Sequence, residues 1–85
     1  MSQQIEVTVK LFAIYQEVYQ QSELKISLLP DSSVETVLDK IINQHPSLEK
    51  WRSLTRFGVN FKFVSPETKL ENGDEVVLIP PVNGG

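Results

Sequence analysis

The residues best suited to chemistry stand at the end of the sequence, where Pro80-Pro81-Val82-Asn83 leads into Gly84 and Gly85. Proline holds a backbone extended, and glycine lets a backbone approach a ligand or a wall closely. A carboxylate on Gly85 is ionised at pH 7 and is a poor electrophile. It becomes reactive once a partner converts it with ATP into an acyl adenylate, which sulfur or an amine can attack. We therefore expect this tail to thread into a partner and present Gly85 as the reacting residue.

The composition excludes most other chemistry. The chain has no Cys, which rules out a disulfide, a thiolate metal site and a cysteine nucleophile. Any sulfur that it carries would therefore sit on Gly85. The single histidine, His45, cannot build a multi-His metal site or a serine triad and is interpreted as a solvated helix-end residue. Asp74 and Glu75 follow Asn72-Gly73 and are interpreted as turn residues. We expect no metal and no bound cofactor.

Length and charge narrow the class of protein further. A chain of 85 residues makes one domain. Eleven acidic and eight scattered basic residues give a net charge of −3, which does not favour nucleic-acid binding. No stretch approaches the ~20 apolar residues of a membrane span, and the polar start does not resemble a signal peptide. We expect a soluble, cytoplasmic protein.

Hydrophobic periodicity predicts the elements that position the tail. Alternation over 5–12 and 23–29 predicts two strands that pair as a hairpin, with a short helical turn between them over 13–20. Phe12 stands on the polar face of the first strand. Alternation over 57–64 predicts either one strand bent at Asn60 or more than one strand, and 75–79 predicts a last strand after the Asn-Gly turn.

A single main helix is predicted over about 33–44, because five apolar residues share one face: Val34, Val37, Leu38, Ile41 and Ile42. Ser32 and Glu35 have the spacing of a capping box. Pro46 ends the helix, and Leu48, Trp51 and Leu54 are expected to pack an irregular segment against the domain.

These elements predict an α+β fold with the helix packed across one face of a mixed sheet. The ubiquitin-like β-grasp, with the first and last strands parallel and central, is the economical arrangement. The predicted organisation is a β-grasp domain over 1–79 and an extended diglycine tail over 80–85.

Several segments resemble the MoaD/ThiS family of sulfur carriers, in its branch of molybdopterin synthase small subunits. They include Val9-Lys10-Leu11-Phe12-Ala13, Gly58-Val59-Asn60 and above all 72–76 followed by Ile79-Pro80-Pro81-Val82-Asn83-Gly84-Gly85. The resemblance covers nearly the whole chain. One position departs from it, because Gln16 stands where the family often has Arg, so that a partner contact is expected to be rearranged.

The resemblance implies a function and partners. An E1-like enzyme would adenylate Gly85 with ATP and load sulfur as a thiocarboxylate. The tail would then enter the large subunit of molybdopterin synthase, which holds the catalytic side chains, and donate sulfur to cyclic pyranopterin monophosphate. A single-helix fold leaves one sheet face over, and exposed apolar patches mark interaction sites. Phe12, Phe63 and Ile79 are therefore the predicted interface, at positions that match family contacts, although core burial is a close alternative for Phe63.

Three functional hypotheses remain open on the sequence. The first is the sulfur carrier just described. The second is a carrier for another pathway, such as thiamine thiazole synthesis, or a ubiquitin-like modifier attached through Gly85 to a lysine. The third is a β-grasp interaction module with no acyl chemistry.

Overall fold

The computed structural model describes residues 3–81 of the chain. Seven regular elements and a 3₁₀ helix occur within these residues, close to the expected positions. They are β1 Ile5–Leu11, α1 Ile14–Tyr19, β2 Glu23–Leu28, α2 Val34–Gln44, the 3₁₀ helix Pro46–Leu54, β3 Arg56–Val59, β4 Lys62–Val64 and β5 Glu75–Ile79.

The five strands form one mixed sheet in the order β2-β1-β5-β3-β4. The first and last strands pair in parallel, with Thr8 opposite Glu75 and Leu11 opposite Leu78, while the remaining pairs are antiparallel. The connection between the parallel pair carries α2. This topology confirms the predicted ubiquitin-like β-grasp.

The core lies between the inner face of the sheet and α2. Every residue of the predicted helical stripe is buried, with at most 3% of its surface exposed. The strands contribute alternate residues to the same core, which is the period-two pattern expected of a sheet covered on one side. The strand members with 0–1% exposure are Val7, Val9, Leu11, Leu28, Val76 and Leu78.

The predicted capping box at the start of α2 is wrong. The helix begins at Val34 after Ser33, and the Ser32 hydroxyl donates to the Leu29 carbonyl at 2.7 Å instead of reaching into the helix. The loop at 65–70 supplies the acceptors that a cap would have provided. The Val34 N–H donates to the Thr68 carbonyl at 2.8 Å, and the Glu35 N–H donates to the Pro66 carbonyl at 3.1 Å. Since these carbonyls satisfy the exposed donors of the first turn, no side-chain cap is required.

One further expectation needs correction, and one open alternative is decided. The segment after α2 is a regular 3₁₀ helix, in which Leu48 is buried and Trp51 is half-buried, but Leu54 is 54% exposed. The segment 57–64, for which the sequence left one bent strand or several strands open, forms two strands joined as a tight hairpin, because Asn60 and Phe61 have φ values of 49° and 72°. A two-residue loop with positive φ at both positions is the turn that matches the twist of paired strands.

A buried hydroxyl pair fixes α1 to the body. Tyr15 is fully buried, and its hydroxyl lies 2.5 Å from Oγ1 of Thr55. Since Thr55 Oγ1 donates its one proton to the Trp51 carbonyl at 2.9 Å, Tyr15 is the donor in the pair. Burial raises the pKa of Tyr15 above its usual value. These bonds hold the segment that follows Phe12 in a defined place.

Replacing Tyr15 with Phe should lower the free energy of unfolding by about 1–2 kcal/mol, because Thr55 Oγ1 loses its buried donor. Tyr19→Phe is the matched control: its hydroxyl donates to the Ile41 carbonyl from a part-buried site, so its loss should cost less.

Because the folded-state pKa of Tyr15 is raised, the wild type should also lose stability as the pH rises above about 10, and Tyr15→Phe should lose less. Urea denaturation of the three proteins at pH 7 and at alkaline pH measures this; equal costs for both variants would contradict the assignment.

Candidate functional site

The base of the tail is built into the sheet. β5 ends at Ile79, Pro80 is buried, and Pro81 is half-buried. Proline donates no backbone hydrogen bond, so Pro80-Pro81 ends the ladder at this point. Of the residues predicted to thread into a partner, Pro80 therefore lies within the body and Pro81 at its surface. Val82, Asn83, Gly84 and the predicted reacting residue Gly85 lie outside the described residues.

Parallel pairing brings Phe12 to the same end of the sheet as the base of the tail. Leu11 pairs with Leu78. Phe12 follows Leu11 at the end of β1, and Ile79 follows Leu78 at the end of β5. Phe12 is 49% exposed and Ile79 is half-buried. Both residues follow core members by one position, which directs them toward the outer face of the sheet.

An apolar depression occupies the outer face beside this end. Gly58 of β3 stands between Phe63 of β4 and Val77 of β5 in the strand register. Because Gly58 has no side chain, its larger neighbours stand above it, and the buried Gly58 backbone forms the floor of the depression. The lining residues are Gly58, Phe61, Lys62, Phe63, Val77 and Ile79.

The structure thus brings Phe63 and Ile79 together, with Phe12 at the same end of the sheet. Phe63 is 76% exposed, which decides against the alternative that it belongs to the core. Of the remaining aromatics, Phe57 is buried and Trp51 is half-buried, whereas Phe61 is 89% exposed and was not among the predicted surface residues. The signal was its place directly after Asn60, at a hairpin tip. A partner-binding role for the three predicted residues stays a prediction.

The basic side chains around this surface differ in whether they form an ion pair. Lys10 donates to the Glu23 carboxylate at 2.6 Å. This hydrogen bond raises the pKa of Lys10 and lowers that of Glu23. Lys62 lines the depression and Arg56 pairs with Ile79 at its margin. Within residues 3–81 neither of these two cations forms an ion pair.

The polar residues of the body have structural roles. Asp74 accepts hydrogen bonds from the Asn60 amide at 2.9 Å and from the Glu71 N–H at 2.8 Å, which supports its interpretation as a turn residue. His45 packs its ring edge-on against Tyr19, and Gln16 is exposed on α1. Residues 3–81 hold no group of three or more acidic, His or Cys side chains that could bind a metal ion. The same residues include no helix long and apolar enough to cross a bilayer.

Exposure of the aromatics predicts their contributions to stability. Phe12→Ala and Phe63→Ala should each change the free energy of unfolding by less than about 1 kcal/mol, since little surface leaves water on folding. Phe57→Ala is the matched control and should cost about 3–5 kcal/mol, because it opens a cavity in the core. Chemical denaturation checks this. A loss at Phe63 as large as the loss at Phe57 would show that Phe63 is a core residue.

Comparison with known proteins places this geometry in a family. The model of the ThiS family matches residues 9–85. The molybdopterin synthase sulfur carrier subunit of Chlamydomonas reinhardtii is 35% identical, over 95% of this chain and 100% of that protein. The subunit of the same name from Arabidopsis thaliana is 30% identical, over 95% of this chain and 84% of that protein.

Solved structures share the fold. Small archaeal modifier protein 1 of Methanosarcina acetivorans superposes with a TM-score of 0.78 at 26% identity, over 98% of this chain and 99% of that one. A chain in the complex of subunits 1 and 2 of the molybdopterin-converting factor from Helicobacter pylori superposes with a TM-score of 0.61 at 23% identity, over 95% and 100% of the two chains. With the family match covering most of the sequence, the conclusion is direct: this chain belongs to the ThiS family.

Proposed function

We propose that this chain is a sulfur carrier subunit of molybdopterin synthase, with the carboxylate of Gly85 as the group that carries sulfur. The observation that carries the proposal is the similarity, at 30–35% identity over nearly the whole chain, to curated subunits of that name. The family match extends through residue 85 and so includes the diglycine. The exposed apolar surface beside the base of the tail suits a carrier that docks through its body and reacts through its tail.

The chemistry requires activation by a partner. In an E1-like enzyme, a carboxylate oxygen of Gly85 attacks the α-phosphorus of ATP, which releases pyrophosphate and leaves an acyl adenylate. A sulfur nucleophile at the oxidation level of sulfide then attacks the acyl carbon and displaces AMP. The product is a thiocarboxylate on Gly85. ATP is consumed by the activating enzyme, and no cofactor needs to bind this chain.

The transfer of sulfur to its acceptor depends on where the body docks and on how far the tail can extend. Because Pro80 is buried and Pro81 is half-buried, the segment 82–85 can extend from the body by roughly 13–14 Å. A partner bound over Phe12, Phe63 and Ile79 would lie beside the base of this segment. The proposed partner for transfer is the large subunit of molybdopterin synthase, and the Helicobacter pylori complex shows that a chain of this fold assembles with a second subunit. Sulfur would pass there to cyclic pyranopterin monophosphate.

A protein-modifier function is the second candidate. The fold match to small archaeal modifier protein 1, at 26% identity and a TM-score of 0.78, favours it. In that case a lysine amine would attack the activated Gly85 and form an isopeptide bond. The products separate the hypotheses. A carrier gains sulfur in place of one oxygen, and a modifier forms adducts with other proteins. A carrier for another pathway, such as thiazole synthesis, would gain the same sulfur but would deliver it to a different acceptor.

Extending the chain by one Ala after Gly85 should abolish loading. The added residue moves the carboxylate by roughly 3.5 Å, and misplacement of about 1 Å can cost 10²-fold in rate. Mass spectrometry after incubation with the activating enzyme, ATP and a sulfide source measures the thiocarboxylate. One Ala added before Met1 is the control of equal mass and should load normally. Loading of the C-terminally extended protein at the wild-type rate would contradict the role of Gly85.

Phe12→Ala and Ile79→Ala should each weaken binding to the large subunit by about 1–4 kcal/mol, as truncation of buried interface residues does. The melting temperature of the free chain should change much less. Leu29→Ala is the control, because Leu29 is 59% exposed and follows β2 at the opposite end of the sheet from the tail. Calorimetric titration checks the affinities. Unchanged affinity in both interface variants would remove these residues from the docking surface.

A further inference from the structure

Phe61 occupies a backbone conformation that is unfavourable for it. Its φ of 72° lies in the left-handed region, where a residue with a Cβ atom is strained and glycine is not. Tight hairpins of this kind prefer Gly at the second turn position. Burial of the ring does not offset this strain, because Phe61 is 89% exposed.

Hydrogen bonds join the turn that carries Phe61 to the start of β5. The Asn60 N–H donates to the Glu75 carbonyl at 2.9 Å, and the Glu75 N–H donates to the Asn60 side-chain oxygen at 3.0 Å. The Asn60 amide also donates to Asp74. Phe61 is therefore presented at a fixed position on the wall of the depression over Gly58.

Strain without burial points to a role outside the free chain. We propose that Phe61 and the depression over Gly58 form a receiving pocket for an apolar side chain of the protein partner, and that this partner side chain is framed by acidic residues. The pocket extends the surface of Phe63 and Ile79 toward the hairpin tip. This inference rests on the proposed function, since the partner is taken to be the large subunit.

The positive charge around the pocket favours a different protein with acidic residues over a second copy of the chain. Lys62 lines the pocket and Arg56 lies at its margin, although the whole chain carries a net charge of −3. Lys10 is paired with Glu23, and Glu75 lies close enough to Lys10 to raise its pKa further. A symmetric dimer through this pocket would bring the Lys62 and Arg56 cations of both copies into one interface, and the added like charge disfavours that occupant. Acidic residues on a different protein complement them.

Phe61→Gly tests the proposal because it should change both the stability of the free chain and its affinity for the large subunit. It should raise the melting temperature of the free chain by about 4 °C, because the left-handed strain is relieved. It should also weaken binding to the large subunit about tenfold, because an anchor ring is lost. Gln20→Gly is the matched control: Gln20 has a φ of 57° at the end of α1, so that variant should gain stability and keep its affinity.

Gly58→Val fills the pocket without removing any ring. A Cβ at this position meets its nearest neighbours at 3.6 Å, an ordinary contact distance, so the floor has room for the first carbon of the new side chain. The variant should bind about tenfold more weakly, and its thermal unfolding curve checks that it is folded. Lys62→Glu should slow association several-fold at low salt, because a rim charge steers encounter. Lys69→Glu makes the same change in net charge elsewhere on the surface and should associate at the wild-type rate.

Wild-type affinity in both Phe61→Gly and Gly58→Val would overturn the pocket while leaving the proposed function intact. Failure of the wild-type chain to bind the large subunit would overturn both. Sedimentation of the free chain supplies the last outcome: a wild-type dimer that Phe61→Gly dissociates would show that the pocket receives a second copy, contrary to the proposal.

Discussion

The parallel pairing of β1 with β5 is the constraint on which the rest of the molecule depends. It joins segments more than sixty residues apart, and the turn before β5 sets its register. The Gly73 N–H donates to the Glu6 carbonyl at 2.8 Å, and the Thr8 N–H donates to the Asp74 carbonyl at 3.0 Å. With the start of β5 fixed in this way, Leu78 falls beside Leu11 in the core. Parallel strands finish at the same edge of a sheet, so the tail leaves the body next to Phe12.

Under the proposed function, the same pairing would separate the docking surface from the reacting group. One helix covers only the inner face, and the outer face near the tail is left with exposed aromatics and a glycine floor. An exposed apolar surface is costly for a monomer and is typical of an interaction site. The diglycine at the end of the tail, by contrast, adds no side chain for a partner to recognise. Affinity would then come from the sheet face, while the diglycine would offer a slim backbone and an activatable carboxylate. Such a division would explain how a small chain without cysteine serves as a carrier of sulfur.

Much of this arrangement could be predicted from local sequence. The stripe of α2, the alternation of β1 and the Asn-Gly turn before β5 each reflect a short-range physical preference, and their combination indicates the β-grasp. Features set by tertiary contacts could not be predicted. The start of α2 takes its hydrogen bonds from Pro66 and Thr68, far along the chain, and the hairpin at Asn60 depends on bonds to Glu75. Alternation through Phe61 and Phe63 looks like one continuous strand because a two-residue turn preserves the period.

The most direct test of the account follows a sulfur atom through one turnover. The chain would be prepared with a ³⁵S thiocarboxylate on Gly85 and mixed with the large subunit and cyclic pyranopterin monophosphate. The account predicts that the label leaves the protein and appears in the dithiolene of the pterin product, with the chain returned as the carboxylate. Label that stays on the chain, with no labelled pterin formed, would contradict it.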